Sequence, residues 1–336
     1  MPQSGVEARR FKLHSFQMAP LRIVIPGGSG QVGRVLAKHF QRRGDHVTVL
    51  TRSPHTAEWQ TVHWDAQTPG LWTDCLEGAD VCINLAGRSV NCRYTPDNRI
   101  EIYNSRIIST RLLGEVIGSL RHPPRVWLNA STATIYRHAL DRPMDEKAGE
   151  LGGKETGAPD SWNFSIQVAK DWETTFFKAD TPQTRKVAMR SAITFSPVPG
   201  NAFAVLLNLV RVGLGGTQGN GRQWVSWIHE DDFARAVEFL IDREDLDGSV
   251  NIASPYPEKN RDFMAILREA WGMPNGIWTP APLLELGALL MRTETELVLK
   301  SRRVVPTRLL EAGFDFEFPN WPHAAEDLVE RWRKRA

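Results

Sequence analysis

Residues 21–52, LRIVIPGGSGQVGRVLAKHFQRRGDHVTVLTR, restrict the fold more than any other stretch of this chain. The apolar run Leu21 to Ile25 suits a buried parallel strand, and glycines follow at positions 27, 30 and 33. An amphipathic helix comes next, with Val32, Val35, Leu36 and Phe40 on one face. A second apolar segment, His46 to Leu50, then arrives where a strand–helix–strand unit needs it. Each glycine has its own task. Gly27 permits a tight turn, Gly30 lets the backbone approach a pyrophosphate, and Gly33 lets the helix pack closely on the strand. The spacing is GxxGxxG, and its context predicts a dinucleotide site. Gly28, Ser29, Gln31 and Val32, which lie between the three, are expected to border the same cofactor.

The end of the second strand bears on which dinucleotide. A site for NAD places Asp or Glu about 20 residues past the glycines, to hold the ribose 2′-hydroxyl. This chain carries Thr51 and Arg52 there. A guanidinium matches a 2′-phosphate bidentately, so NADP(H) is the expected cofactor, although Arg52 would serve equally as an ordinary surface arginine.

At 336 residues the chain has room for a large α/β unit and a smaller appended region. A net charge of +2 gives no reason to expect nucleic acid or an anionic membrane as partner. No apolar run reaches the ~20 residues that span a bilayer. The expected partner is a small-molecule substrate, with monomer and homodimer both open. Cys75, Cys82 and Cys92 are too few and too irregularly spaced for a disulfide framework or a zinc site. They read as reduced thiols of a cytoplasmic protein. Residues 1–17 lack the apolar centre of a secretory signal and are expected to form a disordered extension ahead of a start at Met18, with a transit peptide as the alternative.

A short third strand is expected at Thr61 to Trp64, ending at Asp65, whose carboxylate could accept from an adenine amino group or remain solvated. The fourth strand, Asp80 to Leu85, runs into Ala86-Gly87 at the strand-end edge where doubly wound sheets bind ligands. A helix from Pro96 to about Leu120 is expected to face the sheet through Ile100, Tyr103, Ile107, Leu113, Val116 and Ile117. The fifth strand, Arg125 to Ala130, ends in NASTATIY. An exposed loop (141–160), a helix (Trp162 to Lys178) and a strand completing the parallel sheet (Lys186 to Ile193) follow.

The fold class is therefore α/β, a doubly wound parallel sheet of the Rossmann type over residues 18–200. Segments around 224–253 are expected to return to it. Residues 201–336 are expected to form a smaller C-terminal substrate region, helical from about 258, that covers a cleft.

With NLAG (84–87), DWE (171–173), GLGG (213–216), WIHEDD (227–232) and KSRRVVPTRLLEAGF (300–314) in hand, residues 21 to about 333 resemble the extended short-chain dehydrogenase/reductase superfamily. More narrowly they are similar to an atypical epimerase family related to bacterial YfcH and its human counterpart. The resemblance implies NADP(H) binding by Gly27, Gly30, Gly33, Thr51 and Arg52, with Leu85, Ala86 and Gly87 along the cofactor. It implies no particular substrate.

Members of that superfamily use a Ser or Thr with a Tyr and a Lys spaced YxxxK on a helix. The lysine lowers the tyrosine pKa so that it can exchange a proton with a substrate oxygen. Laid on this pattern, Thr132 takes the hydroxyl position. Glu173, as the acid of YxxxKxxxE, puts Ala169 at the lysine and Ser165 at the tyrosine. Neither essential side chain is present. The four tyrosines, at 94, 103, 136 and 256, are followed four residues on by Asn98, Ile107, Leu140 and Asn260. Lys170 lies about 100° round the helix from Ala169 and is expected to face solvent. Tyr136, Ser165 and His229 become the candidate proton carriers, while Gln223, Trp224 and Trp227 are candidates for the substrate side. The function expected is an oxidoreductase or epimerase-like enzyme acting by hydride transfer, or else a silent NADP(H) sensor.

Overall fold

The computed structural model describes residues 19–290 and 294–335, so the expectation for residues 1–17 lies outside the described residues. The first half alternates strands and helices: β1 (Arg22–Pro26), α1 (Gln31–Arg43), β2 (His46–Thr51), β3 (Gln60–His63), β4 (Val81–Asn84), α2 (Pro96–Ser119), β5 (Val126–Thr132), α3 (Asp160–Lys178) and β6 (Arg185–Ser191). Then come β7 (Ile193–Phe195), α4 (Ala202–Arg211), β8 (Trp224–Val225), β9 (Trp227–His229), α5 (Glu230–Asp242), β10 (Gly248–Ile252) and β11 (Glu258–Lys259). The chain ends in α6 (Asn260–Trp271), α7 (Ala281–Leu290), α8 (Glu296–Leu299), α9 (Thr307–Glu311) and α10 (Trp321–Arg333).

Seven strands form one parallel sheet in the order β10-β6-β5-β4-β1-β2-β3. Its strands are apolar on both faces because both are covered. Ile23, Ile25, Val47, Val49, Val81 and Ile83 pack with Leu36 and Phe40 of α1 and with α5 on one side. Val24, Leu50, Cys82 and Trp127 face the other side, against Leu113 and Ile117 of α2 and Phe176 of α3. α1 ends where Gly44 adopts a left-handed conformation (φ 95°) and donates to the carbonyls of Gln41 and Phe40.

Two expectations need correction. The strand at 186–193 does not complete the sheet, because β10 lies outside it in parallel register, Gly248 beside Val187 through Ile252 beside Ser191. Nor does Ile100 face the sheet. The first turns of α2 overhang the strand ends, and Ile100 is 58% exposed. Residues 193–195 instead leave the sheet to pair with β9, and the turn before α4 is capped by Asn201, which accepts from the Phe203 amide. α4, α6 and α10 enclose a separate core around Phe195, Trp227 and Trp321. Cys75, Cys82 and Cys92 are free thiols. Among the described residues no helix is long and apolar enough to cross a membrane.

One buried pair ties α3 to the sheet. Arg190 donates to both Glu173 oxygens at 2.8 and 2.7 Å, and Ser131 adds a third bond to Oε1 at 2.6 Å. Glu173→Ala leaves that guanidinium buried without its counter-charge, so a loss of about 3 kcal/mol in unfolding free energy is expected. Urea titration checks it, and a loss below about 1 kcal/mol would contradict the reading.

Candidate functional site

The first crossover is shaped by three positions without a Cβ. At Gly27 (φ +75°) a Cβ would lie 2.7 Å from the Ala86 backbone, and at Gly33 one would lie 2.4 Å from Gly28. At Gly30 the nearest atom to such a carbon is 3.7 Å away, so that position opens on space where a side chain would protrude. Gly30 is also the N-cap of α1; no side chain caps this helix end, and its first turn holds no acid. Free N–H groups and the helix dipole together make an anion cradle. Gln31 and Val32, at its rim, line the second cavity described below.

The cradle opens into a cavity of about 1110 Å³ lined by Gly27, Ser29, Gly30, Thr51, Arg52, Asp65, Leu85, Ala86 and Gly87, among others. Thr51 is buried and donates to Ser29 Oγ at 3.1 Å, which joins the end of β2 to the glycine turn. Arg52 is exposed, and among the described residues no ion pair engages it. Ser53 and His55 line the same wall, and sequence reasoning missed both. Ile100 also lines this cavity and offers an apolar surface of the kind a base stacks on. Asp65 borders the cavity, but its carboxylate is occupied by its own loop. Oδ1 accepts from the Gln67 and Thr68 amides and Oδ2 from the Thr68 hydroxyl, and this last bond leads the causes that lower its pKa. An Asx-type turn therefore explains Asp65 without a ligand.

At the centre, Asn84 is fully buried. Its amide donates to Asn129 Oδ1 at 2.7 Å and to Thr110 Oγ1 at 3.2 Å, while its oxygen accepts from the Ala86 amide at 3.0 Å. This network fixes the Leu85-Ala86-Gly87 backbone. That strip, with Arg88, also borders a second cavity of about 470 Å³, lined in part by Thr132, Thr134, Ser165, Ala169, Tyr94, Glu296 and Arg302. A dinucleotide fits the set: an uncapped helix N-terminus, an unpaired guanidinium, and a bare backbone strip between two cavities.

Of the candidate catalytic residues, Thr132 at the hydroxyl position and Ser165 reach the second cavity. Thr132 accepts from the Thr134 amide at 3.1 Å, and Ser165 donates to Glu296 Oε2 at 2.6 Å. Tyr136 and His229 do not reach it. The Tyr136 hydroxyl is buried, donating to Asn251 Oδ1 and accepting from Arg190. His229 is fully buried as the N-cap of α5; Nδ1 accepts from the Asp231 amide, Nε2 bonds Asp327 at 3.0 Å, and the ring stacks on Phe318. Both are structural because every polar atom they carry is already used inside the protein. Gln223 and Trp227 are likewise buried away from the cavity, and Trp224 lies under Arg303. Lys170 is held on the Gly152 carbonyl, off the cleft.

Groups that sequence reasoning passed over occupy this corner. Tyr94 sits just before α2, its amide held by Glu294 Oε1 at 2.9 Å and its ring edge-on to Phe164. Burial, reinforced by the Glu296 charge, pushes its phenol up to about 12. Lys300 and Arg302 come from the KSRRVVP string. Lys300 is buried and donates to the Thr134 carbonyl at 2.7 Å, and burial, aided by Arg302, brings its pKa down to about 7.

The NAD dependent epimerase/dehydratase family matches residues 23–253, and a domain of unknown function, DUF1731, matches residues 279–328. An epimerase family protein of Staphylococcus epidermidis is 32% identical over 309 residues, covering 92% of this chain and 99% of its own length. The crystal structure of the human epimerase family protein SDR39U1 (isoform 2) with NADPH superposes with a TM-score of 0.79 at 26% identity, covering 92% of this chain and 99% of that one. UDP-N-acetylglucosamine 4-epimerase from Bacillus cereus shares the fold, with a TM-score of 0.71 at 18% identity and coverage of 93% and 99%.

Gly30→Asp would place a carboxylate in the cradle. It is expected to weaken NADPH binding at least about 100-fold with little change in thermal stability, because its Cβ meets open space. Calorimetric titration checks this, and an unchanged dissociation constant would contradict it.

Proposed function

The chain belongs to the NAD dependent epimerase/dehydratase family, and from that premise we propose that it is an NADP(H)-dependent oxidoreductase or epimerase-like enzyme acting at a hydroxyl or carbonyl carbon of a small molecule. The observation that carries the proposal is the continuity of the cleft, since Leu85 to Arg88 border both cavities. With a pyrophosphate on the N-terminus of α1 and the adenosine toward Arg52, the rest of the dinucleotide would follow that strip into the second cavity. Bound nicotinamide supplies the hydride chemistry. The chain supplies orientation and, in the second cavity, hydroxyl groups at Thr132 and Ser165 able to hold a substrate oxygen.

Preference for NADP(H) rests on Arg52. Ser53 and His55 stand beside it, and no carboxylate occupies the strand end. The NADPH in the human relative's structure supports the same choice.

Calorimetry with NADPH and NADH tests the cofactor: tighter NADPH binding is expected, and Arg52→Ala should weaken NADPH about tenfold, or about 1.4 kcal/mol, with NADH unchanged. Equal affinities in the unmodified protein would remove the argument. NADPH oxidation across sugars, ketones and aldehydes tests the chemistry. Tight binding with no oxidation by any of them would favour a protein that senses cofactor state.

A further inference from the structure

Helix α3 lacks the Tyr-Lys pair of the extended short-chain dehydrogenase/reductase superfamily that this chain resembles, and other elements fill the place. Ser165 stands at the tyrosine position and Ala169, buried, at the lysine. From the segment before α2, Tyr94 brings its phenol oxygen to 3.3 Å from Ser165 Oγ. From the C-terminal segment, Glu296 Oε2 accepts from Ser165 Oγ at 2.6 Å. All three side chains line the second cavity together with Thr132.

A serine has one hydroxyl proton, and here the shorter bond commits it to the carboxylate. The Tyr94 contact is then one in which the phenol donates to Ser165 Oγ. The chain of donors runs one way, from Tyr94 through Ser165 to Glu296. Lys300 and Arg302 approach the other carboxylate oxygen, Oε1, at 3.7 and 3.4 Å, which leaves Oε2 to the serine. Glu294 pins the Tyr94 backbone, and Arg106 of α2 lines the same cavity, so the charged groups facing the phenol are Glu294, Glu296, Arg106 and, behind them, Lys300 and Arg302.

Resting on the oxidoreductase reading above, we propose that Tyr94 is the catalytic residue that exchanges a proton with the substrate oxygen, and that Ser165 and Glu296 relay that proton. In alcohol oxidation the substrate O–H proton passes to the Tyr94 oxygen, the Tyr94 proton to Ser165, and the Ser165 proton to Glu296 Oε2. The carbon–hydrogen bond breaks with its electron pair leaving to the nicotinamide dinucleotide, the named oxidant, and the C=O bond forms. The alcohol loses two electrons, the dinucleotide gains them, and one proton rests on Glu296. Reduction reverses each transfer.

The test uses the full chain and Tyr94→Phe, Ser165→Ala and Glu296→Gln variants. Phenolate absorbance followed to about pH 11, with Tyr94→Phe as the blank, isolates Tyr94. It is expected to stay un-ionised over that range in the unmodified protein and, once Glu296→Gln removes the neighbouring charge, to titrate at lower pH. A Tyr94 that titrates like a free phenol, or that ignores Glu296→Gln, overturns the relay. With NADPH and phenanthrenequinone as the probe carbonyl, Tyr94→Phe should lower kcat at least about 100-fold with an unchanged NADPH dissociation constant. Full kcat in that variant overturns the assignment. Ser165→Ala, which leaves the Glu296 ion pairs intact, should cost about tenfold in kcat and carries the test if Glu296→Gln does not fold. Failure of the unmodified protein to bind NADPH would sink the functional reading, while the phenol titration would still judge the relay.

Discussion

The architecture depends on backbone meeting backbone at the first crossover. Gly27 abuts Ala86 and Gly33 abuts Gly28 at separations no Cβ could occupy, so β1, the end of β4 and the start of α1 converge at one point. That convergence aims an uncapped helix N-terminus at the strand ends and sets the Leu85 to Gly87 backbone beside it. The buried Asn84, Asn129 and Thr110 network then holds that backbone from below with side-chain bonds that have no competing water. A cleft of this kind is a consequence of parallel strands all ending on the same side, with the neighbouring crossovers leaving by opposite faces.

The far end of the cleft is assembled from pieces distant in sequence. Residues 294–305 thread between the end of β5 and β8. Ser301 bonds Trp224 and Ala139, Ser226 bonds Val304, and Met144 pairs with Val304. Docking of that segment is what brings Glu296, Lys300 and Arg302 against Ser165 and Thr134. A site that in related folds draws its acid–base pair from one helical turn here draws its polar groups from α3, from the approach to α2 and from the C-terminal region. The reach of the side chains, rather than helical periodicity, decides which of them meet.

This difference explains what was legible in the sequence. The strand, glycine turn and helix were readable because local rules and tertiary position agree there, and the alternation of elements followed the same logic up to β6. Beyond it, β10 joins the sheet by a long connection, and the sequence placed a returning segment only somewhere in 224–253 without marking which residues form the strand. Ile100 has the spacing of a core residue but lies where α2 overhangs the strand ends, so periodicity alone misassigned it. Tyr94 has no lysine four residues later; its partner Ser165 lies 71 residues away, and Ser165's own partner Glu296 a further 131 residues on. His229 and Tyr136 carried the chemistry of proton carriers, yet capping and buried hydrogen bonds use all of it. The one available signal for the C-terminal contribution was KSRRVVP itself, a run of charge ahead of apolar residues that the fold buries.

The central claim is that the amides of the first crossover grip a pyrophosphate. Amide hydrogen exchange with and without NADPH reads this directly at the backbone groups concerned. Slowed exchange confined to residues 27–33, the end of β2 near Arg52, and the strip at 85–88 is the expected result. Unchanged exchange at residues 27–33 under saturating NADPH would contradict the account.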